Sequence, residues 1–198
     1  MIEFLIGSSL AASAGLNAWM PLFLLGLADR FIPAMQLPGG WSWLSSDVAL
    51  WIVGVLLVLE IIADKFPALD SINDIVQTVL RPASGGIVFG AGASAQTITV
   101  DDPTSFFTDN AWVPIVVGVG IALAVHVVKA LGRIGANTVT GGLAAPVLST
   151  AEDGASFLLA VAALVVPILA LVLLIGLIVT AVALARRRHA RRRDAALS

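Results

Sequence analysis

The chain has 198 residues, of which 59% are hydrophobic and only 12% are charged. An ordinary soluble domain carries about 25% charged residues, so this composition excludes a typical soluble globular protein and favours a polytopic bundle of membrane helices. Cysteine is absent, which excludes disulfides, thiolate catalysis and cysteine-ligated metals.

The first apolar segment covers residues 4–27 and contains a helix-breaking stretch with Gly15, Asn17 and Pro21. Small residues at 11–14 resemble a signal-peptide cleavage site. However, no Lys or Arg precedes the apolar run, and the run continues past this site. We therefore expect a retained first helix with a break in it.

Five more apolar segments follow, and together with the first they predict about six crossings. The clear spans cover residues 48–62, 112–128 and 157–185, whereas residues 83–100 and 135–149 form two short or broken spans rich in small residues.

A basic tail ends the chain. Six of the eleven basic residues lie within residues 186–193, whereas residues 1–185 hold five basic and twelve acidic residues. Because cytoplasmic segments carry an excess of Lys and Arg, we expect residues 186–198 to be a cytoplasmic tail behind a single transmembrane bundle at 1–185. Membrane lipids are the expected partner of this tail, and nucleic acid is not expected.

A cytoplasmic tail determines the sidedness of the other segments. With six crossings both termini are cytoplasmic. The inner side then receives Lys65, Arg81, Lys129 and Arg133, and the outer side receives residues 101–110, Glu152 and Asp153. The tryptophans at 41, 43, 51 and 112 fall together at the outer side, as in an aromatic belt.

Two of the predicted breaks share a short pattern. Residues 15–21 and 142–146 both read Gly-Leu-x-Ala followed by proline. Interrupted helices in the two halves of a chain are typical of transporters with inverted repeats and a site at mid-membrane. The pattern fits either a weak inverted repeat or a chance similarity among common residues.

Residues 70–81 predict an amphipathic helix between two prolines. Its polar face, at spacings i, i+3, i+4, i+7 and i+11, comprises Asp70, Asn73, Asp74, Gln77 and Arg81. Such a helix lies on the cytoplasmic interface or is a half-helix that lines a hydrated cavity. The face is mainly carboxylate and amide, which favours the cavity.

Further charges lie on the neighbouring spans. Glu60 and Asp64 share one helix face, and His126, Lys129 and Arg133 share another. Since an ionised side chain at bilayer depth costs about 2.5–3.5 kcal/mol, we expect Glu60 and Asp64 to pair with Lys129 and Arg133. The network serves helix packing alone or an ion pathway, for which the candidates are Asn17, Glu60, Asp64, Lys65, Asp70, Asn73, Asp74, Gln77, Arg81, His126, Lys129 and Arg133.

Known catalytic motifs are missing. The sequence contains no HExxH, GxSxG or Walker-type loop, so an enzyme is not favoured, and neither a catalytic residue nor a cofactor is predicted. The spacing of Asp70 and Asp74 leaves metal binding undecided. Small residues at Gly86, Gly90 and Gly118 predict close helix packing, within one chain or in a homo-oligomer.

Three stretches carry a family resemblance: AASAGLNAWMPLFLLGLADRF, EIIADKFPALDSINDIVQTVLRP and HVVKALGRIGANTVTGGLAAPVLSTAED. Together they resemble the bacterial integral-membrane proteins grouped as domain of unknown function 4126, over residues 4 to 174. The resemblance implies a small multi-pass protein of the bacterial cytoplasmic (inner) membrane, and it implies no reaction.

The preferred functional hypothesis is a small inner-membrane transporter or channel for an ion or small charged solute. The carboxylates would bind a cation or carry a proton, while Arg81 and Lys129 would hold an anionic group beside a broken helix. Two alternatives stand beside it. One is an intramembrane enzyme acting on a lipid phosphate through a metal at Asp70 and Asp74, and the other is an accessory or assembly subunit.

Overall fold

The computed structural model describes the backbone of residues 1–96 and 112–195; the side chains at 67–72, 74, 168, 171, 181, 184–185 and 188–195 lie outside the description. The described residues form one short 3₁₀ helix, Ser42–Ser45, and seven α-helices. These are α1 Ile2–Leu16, α2 Met20–Phe31, α3 Asp47–Ala63, α4 Pro67–Ala93, α5 Trp112–Thr140, α6 Ala145–Val165 and α7 Pro167–Ala195. The predicted all-helical class is confirmed.

The first predicted span is a pair of antiparallel helices. Phe4 lies near the start of α1, and its ring is 5.7 Å from the ring of Phe89, near the end of α4. Arg30, near the end of α2, pairs with Asp47 at the start of α3. The 15 residues of α1 extend about 22 Å, which is shorter than the roughly 30 Å of a bilayer core. The prediction of one crossing over residues 4–27 is therefore wrong.

The helix pairs define two ends of the bundle. The loop end contains residues 32–46, and it is joined to the end of α4 by a backbone bridge between Gln36 and Gln96. The turn end contains the short connections at 64–66 and 141–144. Since α1 starts at the loop end, the N-terminus lies there, away from the side where the six-crossing arrangement expected it.

Helix α4 continues through Pro82 without ending. The predicted helix end at residue 81 and the separate crossing at 83–100 are therefore wrong, although residues 97–100 lie outside the described part. Pro82 lacks the N–H that would bond the Thr78 carbonyl. Close packing supports this region, since a Cβ at Gly85 would lie 2.8 Å from the Gly118 carbonyl oxygen of α5.

The predicted packing role of the small residues is confirmed within one chain. A Cβ at Gly86 would lie 3.0 Å from Val119, and a Cβ at Gly90 would lie 2.9 Å from the Trp41 ring. These glycines therefore allow α4 to approach its neighbours closely.

Residues 135–149 contain a turn between two antiparallel helices, so the predicted crossing there is wrong. Helix α5 ends at Thr140 and α6 begins at Ala145. Between them Gly141 and Gly142 have φ values of 61° and 88°, a region that glycine adopts without steric cost.

The predicted long span at 157–185 is also divided. Leu173 and Leu177 of α7 pack against the cluster that contains Leu16 and Leu159. This packing shows that the chain reverses at Val166. Helix α7 then continues beyond residue 185 to Ala195, so its backbone shows no break between the bundle and the basic tail.

On α4, polar side chains are buried and apolar side chains of the opposite face are exposed. On α4, Gln77 and Arg81 are 2% and 0% exposed, whereas Ile75 and Val79 on the other face are 74% and 71% exposed. The polar face of the predicted 70–81 helix therefore points into the bundle, as far as its side chains are described. An interfacial helix with that face in water does not fit this arrangement.

Two of the described helices, Trp112–Thr140 and Ala145–Val165, are long and apolar enough to cross a membrane by length and composition. In the part of the chain that the structure describes, no other helix meets this criterion.

Candidate functional site

The connection between α1 and α2 exposes backbone polar groups that side chains from other helices satisfy. Lys129 Nζ donates to the Leu16 carbonyl at 2.8 Å. The Ala18 N–H donates to Glu60 Oε2 at 3.0 Å, and Ser84 Oγ donates to the Ala18 carbonyl at 2.5 Å. A helix end that is buried needs such partners, so the break and the charged residues depend on each other.

Asn17 bonds the chain just before α2. Its Oδ1 accepts the N–H groups of Trp19 and Met20 at 3.2 and 3.0 Å. Its Nδ2 donates to Asp153 Oδ1 at 3.0 Å. The predicted pathway residue Asn17 therefore holds the break in place.

Asp64 is the centre of the charged residues. Its Oδ2 lies 3.1 Å from Lys129 Nζ, 3.1 Å from Arg133 Nη2 and 3.6 Å from Arg81 Nη2. Asn73 Nδ2 donates to its Oδ1 at 2.6 Å. The predicted pairing of Asp64 with Lys129 and Arg133 is confirmed.

Glu60 takes a partner that differs from the predicted ones. Its Oε1 accepts from Arg81 Nη2 at 3.0 Å, and no ion pair joins it to Lys129 or Arg133 among the described contacts. Arg81 Nη1 lies 2.9 Å from His126 Nδ1. Because arginine can only donate, His126 Nδ1 accepts, and the neutral ring donates from Nε2 to Thr78 Oγ1 at 3.1 Å.

Glu152 and Asp153 join the site, which corrects their predicted place on the opposite side of the membrane. Arg133 Nη2 lies 2.5 Å and Lys129 Nζ 3.2 Å from Glu152 Oε2. Asp153 Oδ2 lies 3.5 Å from Lys65 Nζ. Because the chain turns at residues 141–144, α6 starts at the same end as Lys65 and brings both carboxylates to the cations.

A sequence signal for these carboxylates existed. Ser149, Glu152 and Ser156 recur at three- and four-residue intervals, which places them on one helix face. Ser156 Oγ lies 2.8 Å from Ser13 Oγ of α1. This polar stripe would have indicated a helix face directed into the bundle. Thr78 and Ser84 carried no comparable signal.

We call Glu60, Asp64, Arg81, Lys129, Arg133 and Glu152 the charged network. The three cationic side chains are at most 2% exposed, Glu60 and Asp64 are 1% exposed, and Glu152 is 16% exposed. Among the described side chains, each of these buried cations lies beside at least one carboxylate, and such pairing lowers the cost of burying charge.

Arg81 lies near mid-length of α4, whereas Glu60 and Asp64 lie at the end of α3. Arg81 lies about 21 Å from the first residue of α4 and about 18 Å from its last, at 1.5 Å per residue. Exposed apolar side chains continue in both directions, with Trp51 at 74% towards the loop end and Val139 at 85% towards the turn end. The network is therefore buried in a part of the bundle whose outer surface is apolar.

The remaining predicted residues divide into two groups. Gln77 is buried, and its Oε1 has no hydrogen-bond partner among the described residues. The side chains of Asp70 and Asp74 lie outside the described part. Among the side chains that are described, no group of three or more His, Asp or Glu residues is placed to hold a metal ion.

An open groove of about 580 Å³ lies elsewhere, between α2 and α3, and its lining includes Phe23, Leu50, Trp51 and Val55. Its polar end is the ion pair of Arg30 with Asp47. The groove is almost entirely apolar and does not include the charged network.

No curated protein and no solved structure matches the chain. One family does match, over residues 4–187, and this range contains every residue of the charged network. The expected family resemblance is therefore confirmed, and it extends further towards the C-terminus than residue 174. The chain belongs to the family described as Domain of unknown function (DUF4126).

Proposed function

We propose that this protein is a membrane-embedded transporter or channel that moves an ion or a small charged solute through the charged network. The observation that carries the proposal is the network itself, which is buried inside the bundle and bonds the backbone where α1 and α2 meet. The inner membrane of a bacterium is the location that fits the proposal.

The large exposed apolar surface supports a lipid surrounding. Large apolar residues are exposed along α3, α4 and α5, as illustrated by Val55 at 52%, Val79 at 71% and Leu131 at 62%. A soluble protein rarely exposes contiguous apolar patches of this extent. In a bilayer the same residues face lipid, and the buried charges avoid it.

The broken helix supports transport in particular. Irregular backbone is tolerated at membrane depth where protein or a cavity satisfies it, and discontinuous helices often form the substrate sites of transporters. Here the break at residues 17–19 is bonded by Lys129 and Glu60. Displacing either side chain towards a solute would alter both the charge and the backbone bonding of the site.

The turn end is the entrance that this geometry favours. Lys65 is 37% exposed and Asp153 is 13% exposed, whereas Glu60 and Asp64, deeper in the network, are each 1% exposed. A solute arriving from the turn end would therefore meet Lys65, Asp153 and Glu152 before it reached the buried groups.

An accessory or assembly subunit is the second candidate. The observation that favours it is the direct pairing of the buried cations with carboxylates of other helices, because buried ion pairs can serve helix packing alone. Such a subunit would fold through the network and would catalyse no flux by itself.

The test is flux in proteoliposomes. Purified protein would be reconstituted and assayed for proton, cation and anion movement, with Arg81→Gln as the site variant. Asp47→Asn is the matched control, because Asp47 pairs with Arg30 outside the network. We expect flux in the wild type and control, and at least a tenfold lower flux in a folded Arg81→Gln variant.

Two outcomes would decide against transport. Equal flux in all three proteins would show that the network is not the pathway. No flux in the wild type across the panel, combined with copurification of a larger membrane partner, would favour the accessory subunit.

A further inference from the structure

The groove between α2 and α3 is a concave strip that runs along both helices. Its α3 side is one helix face, which contains Leu50, Trp51, Gly54, Val55, Val58 and Leu59. On its α2 side Phe23 lies against Gly54, where a Cβ would be 3.2 Å from the Phe23 ring. Because Gly54 has no side chain, the groove keeps its depth at this point.

The length of the groove matches one leaflet of a bilayer. From Asp47 at the polar end to Leu59, α3 rises about 18 Å at 1.5 Å per residue. One leaflet contributes half of the roughly 30 Å hydrocarbon core, which is about 15 Å. The groove can therefore hold one acyl chain of a lipid that lies alongside α3.

The polar end of the groove presents a positive and a negative charge side by side. Arg30 Nη1 donates to Asp47 Oδ1, and the two side chains are 39% and 75% exposed. The guanidinium also lies over Phe31, with its Cζ 5.7 Å from the ring centre. Arginine has five N–H donors. Among the described contacts, donors of Arg30 and the Oδ2 of Asp47 therefore remain open to a ligand.

Two tryptophans indicate that this end lies at the membrane surface. Trp51 lines the groove one helical turn after Asp47 and is 74% exposed, and Trp43, in the 3₁₀ helix before α3, is 48% exposed. Tryptophan is enriched where hydrocarbon meets water. In the proposed bilayer the Arg30–Asp47 pair would therefore lie at the level of the lipid headgroups.

An ion pair at this level discriminates between headgroups by their charge. An anionic headgroup would be attracted by Arg30 and repelled by Asp47 beside it. A zwitterionic headgroup meets both charges, with its phosphate on the Arg30 guanidinium and its ammonium on the Asp47 carboxylate. Arginine is well suited to phosphate oxygens, and a primary ammonium donates charge-assisted hydrogen bonds to a carboxylate. Such a headgroup joins the ion pair and does not have to displace it.

We infer that the groove is a binding site for a zwitterionic phospholipid with a primary ammonium group, such as phosphatidylethanolamine. The headgroup binds the Arg30–Asp47 pair, and one acyl chain lies along α3. This inference rests on the proposed membrane surrounding but not on transport. Since none of the lining residues belongs to the charged network, substitutions here should change lipid selection and not flux.

Quenching of Trp51 by bromine measures which lipid occupies the groove. The purified full chain would be reconstituted into vesicles that mix phosphatidylethanolamine with the anionic phosphatidylglycerol, with brominated acyl chains on one lipid or the other. The Trp51 signal is the difference between the wild type and Trp51→Phe. We expect half of this signal to be quenched at about a fivefold lower mole fraction of brominated phosphatidylethanolamine than of brominated phosphatidylglycerol, the preference that one exposed charge pair provides.

The matched control for the reporter is Trp43→Phe. Trp43 does not line the groove, so this variant should keep the preferential quenching that Trp51→Phe loses.

Two variants at the polar end separate headgroup recognition from simple lipid contact. Asp47→Asn removes the partner of the ammonium and frees Arg30, so the preference should shift to phosphatidylglycerol. The double variant Arg30→Gln/Asp47→Asn removes both charges and leaves the apolar groove intact, so the two lipids should quench Trp51 equally. Because both side chains are exposed, these variants should fold.

The outcomes separate this inference from the proposed function. Equal quenching of the wild type by both lipids would overturn the site, even if the vesicles show flux. A Trp51 signal that neither lipid quenches would also overturn it, because another surface, such as a second copy of the chain, would then cover the groove. A preference for phosphatidylethanolamine that shifts in Asp47→Asn would support the site, even in a protein that transports nothing.

Discussion

Replacement of Asp64 by asparagine should destabilise the protein more than any comparable change at the surface. Asp64 accepts from Lys129 and Arg133, each at 3.1 Å, and its side chain is 1% exposed. Asparagine has nearly the same shape but no charge. Lys129 and Arg133 would then each lose a buried carboxylate partner.

The magnitude follows from the burial of these charges. Removing one partner of a buried ion pair costs about 3–5 kcal/mol, because the remaining charge is left uncompensated. At about 2–4 °C per kcal/mol for a chain of this length, the Tm should fall by about 6–20 °C. The control Asp47→Asn removes a partner of Arg30 whose side chain is 75% exposed, and an exposed pair contributes at most about 1 kcal/mol.

The assay is thermal unfolding of the purified variants in one detergent, with helical circular dichroism to confirm the fold. The double variant Asp64→Asn/Arg133→Gln restores the charge balance, so it should recover part of the lost Tm. The reasoning is refuted if Asp64→Asn lowers the Tm no more than Asp47→Asn does, or if the double variant is simply additive.

Two further predictions concern packing and sidedness. Gly118→Val should lower the Tm, because overpacking costs about 1–3 kcal/mol and a Cβ at Gly118 would lie 2.5 Å from Phe89 Cβ. The control Gly120→Ala should leave the Tm unchanged, because a Cβ there meets nothing within 4 Å. Equal effects of the two variants would contradict the observed contact of α4 with α5. Because the chain has no cysteine, Ile2→Cys and Arg187→Cys each introduce a single thiol. Impermeant maleimide should label the two from opposite sides of sealed vesicles, whereas labelling from one side would support the six-crossing arrangement.

Much of the site could be predicted from the sequence, because charged residues are rare in this chain. Asp64, Lys129 and Arg133 had few partners other than one another, and the cost of burying an unpaired charge led to the observed pairing. The polar face of residues 70–81 indicated Arg81 as a candidate pathway residue. Helical spacing could not predict which of Glu60, Asp64 and His126 contacts Arg81, because these contacts depend on the distances between helices.

The path of the chain was the part that sequence reasoning placed wrongly. Residues 135–149 were interpreted as a crossing because positive charges were assumed to share one side, and this assigned Glu152 to the other. Hydropathy records how apolar a segment is, but it does not record whether the chain passes straight through or turns back at Gly141.

Composition and periodicity by themselves determined that the protein is helical, that residues 70–81 carry a polar face, and that the first apolar segment is broken near Asn17. These features are local, since they follow from residue type and a spacing of 3.6. Only the tertiary structure decided that the backbone at Leu16 and Ala18 is bonded by Lys129 and Glu60, and that Glu152 pairs with Lys129 and Arg133. The physical reason is that each of these contacts joins separate helices, so it depends on their relative packing.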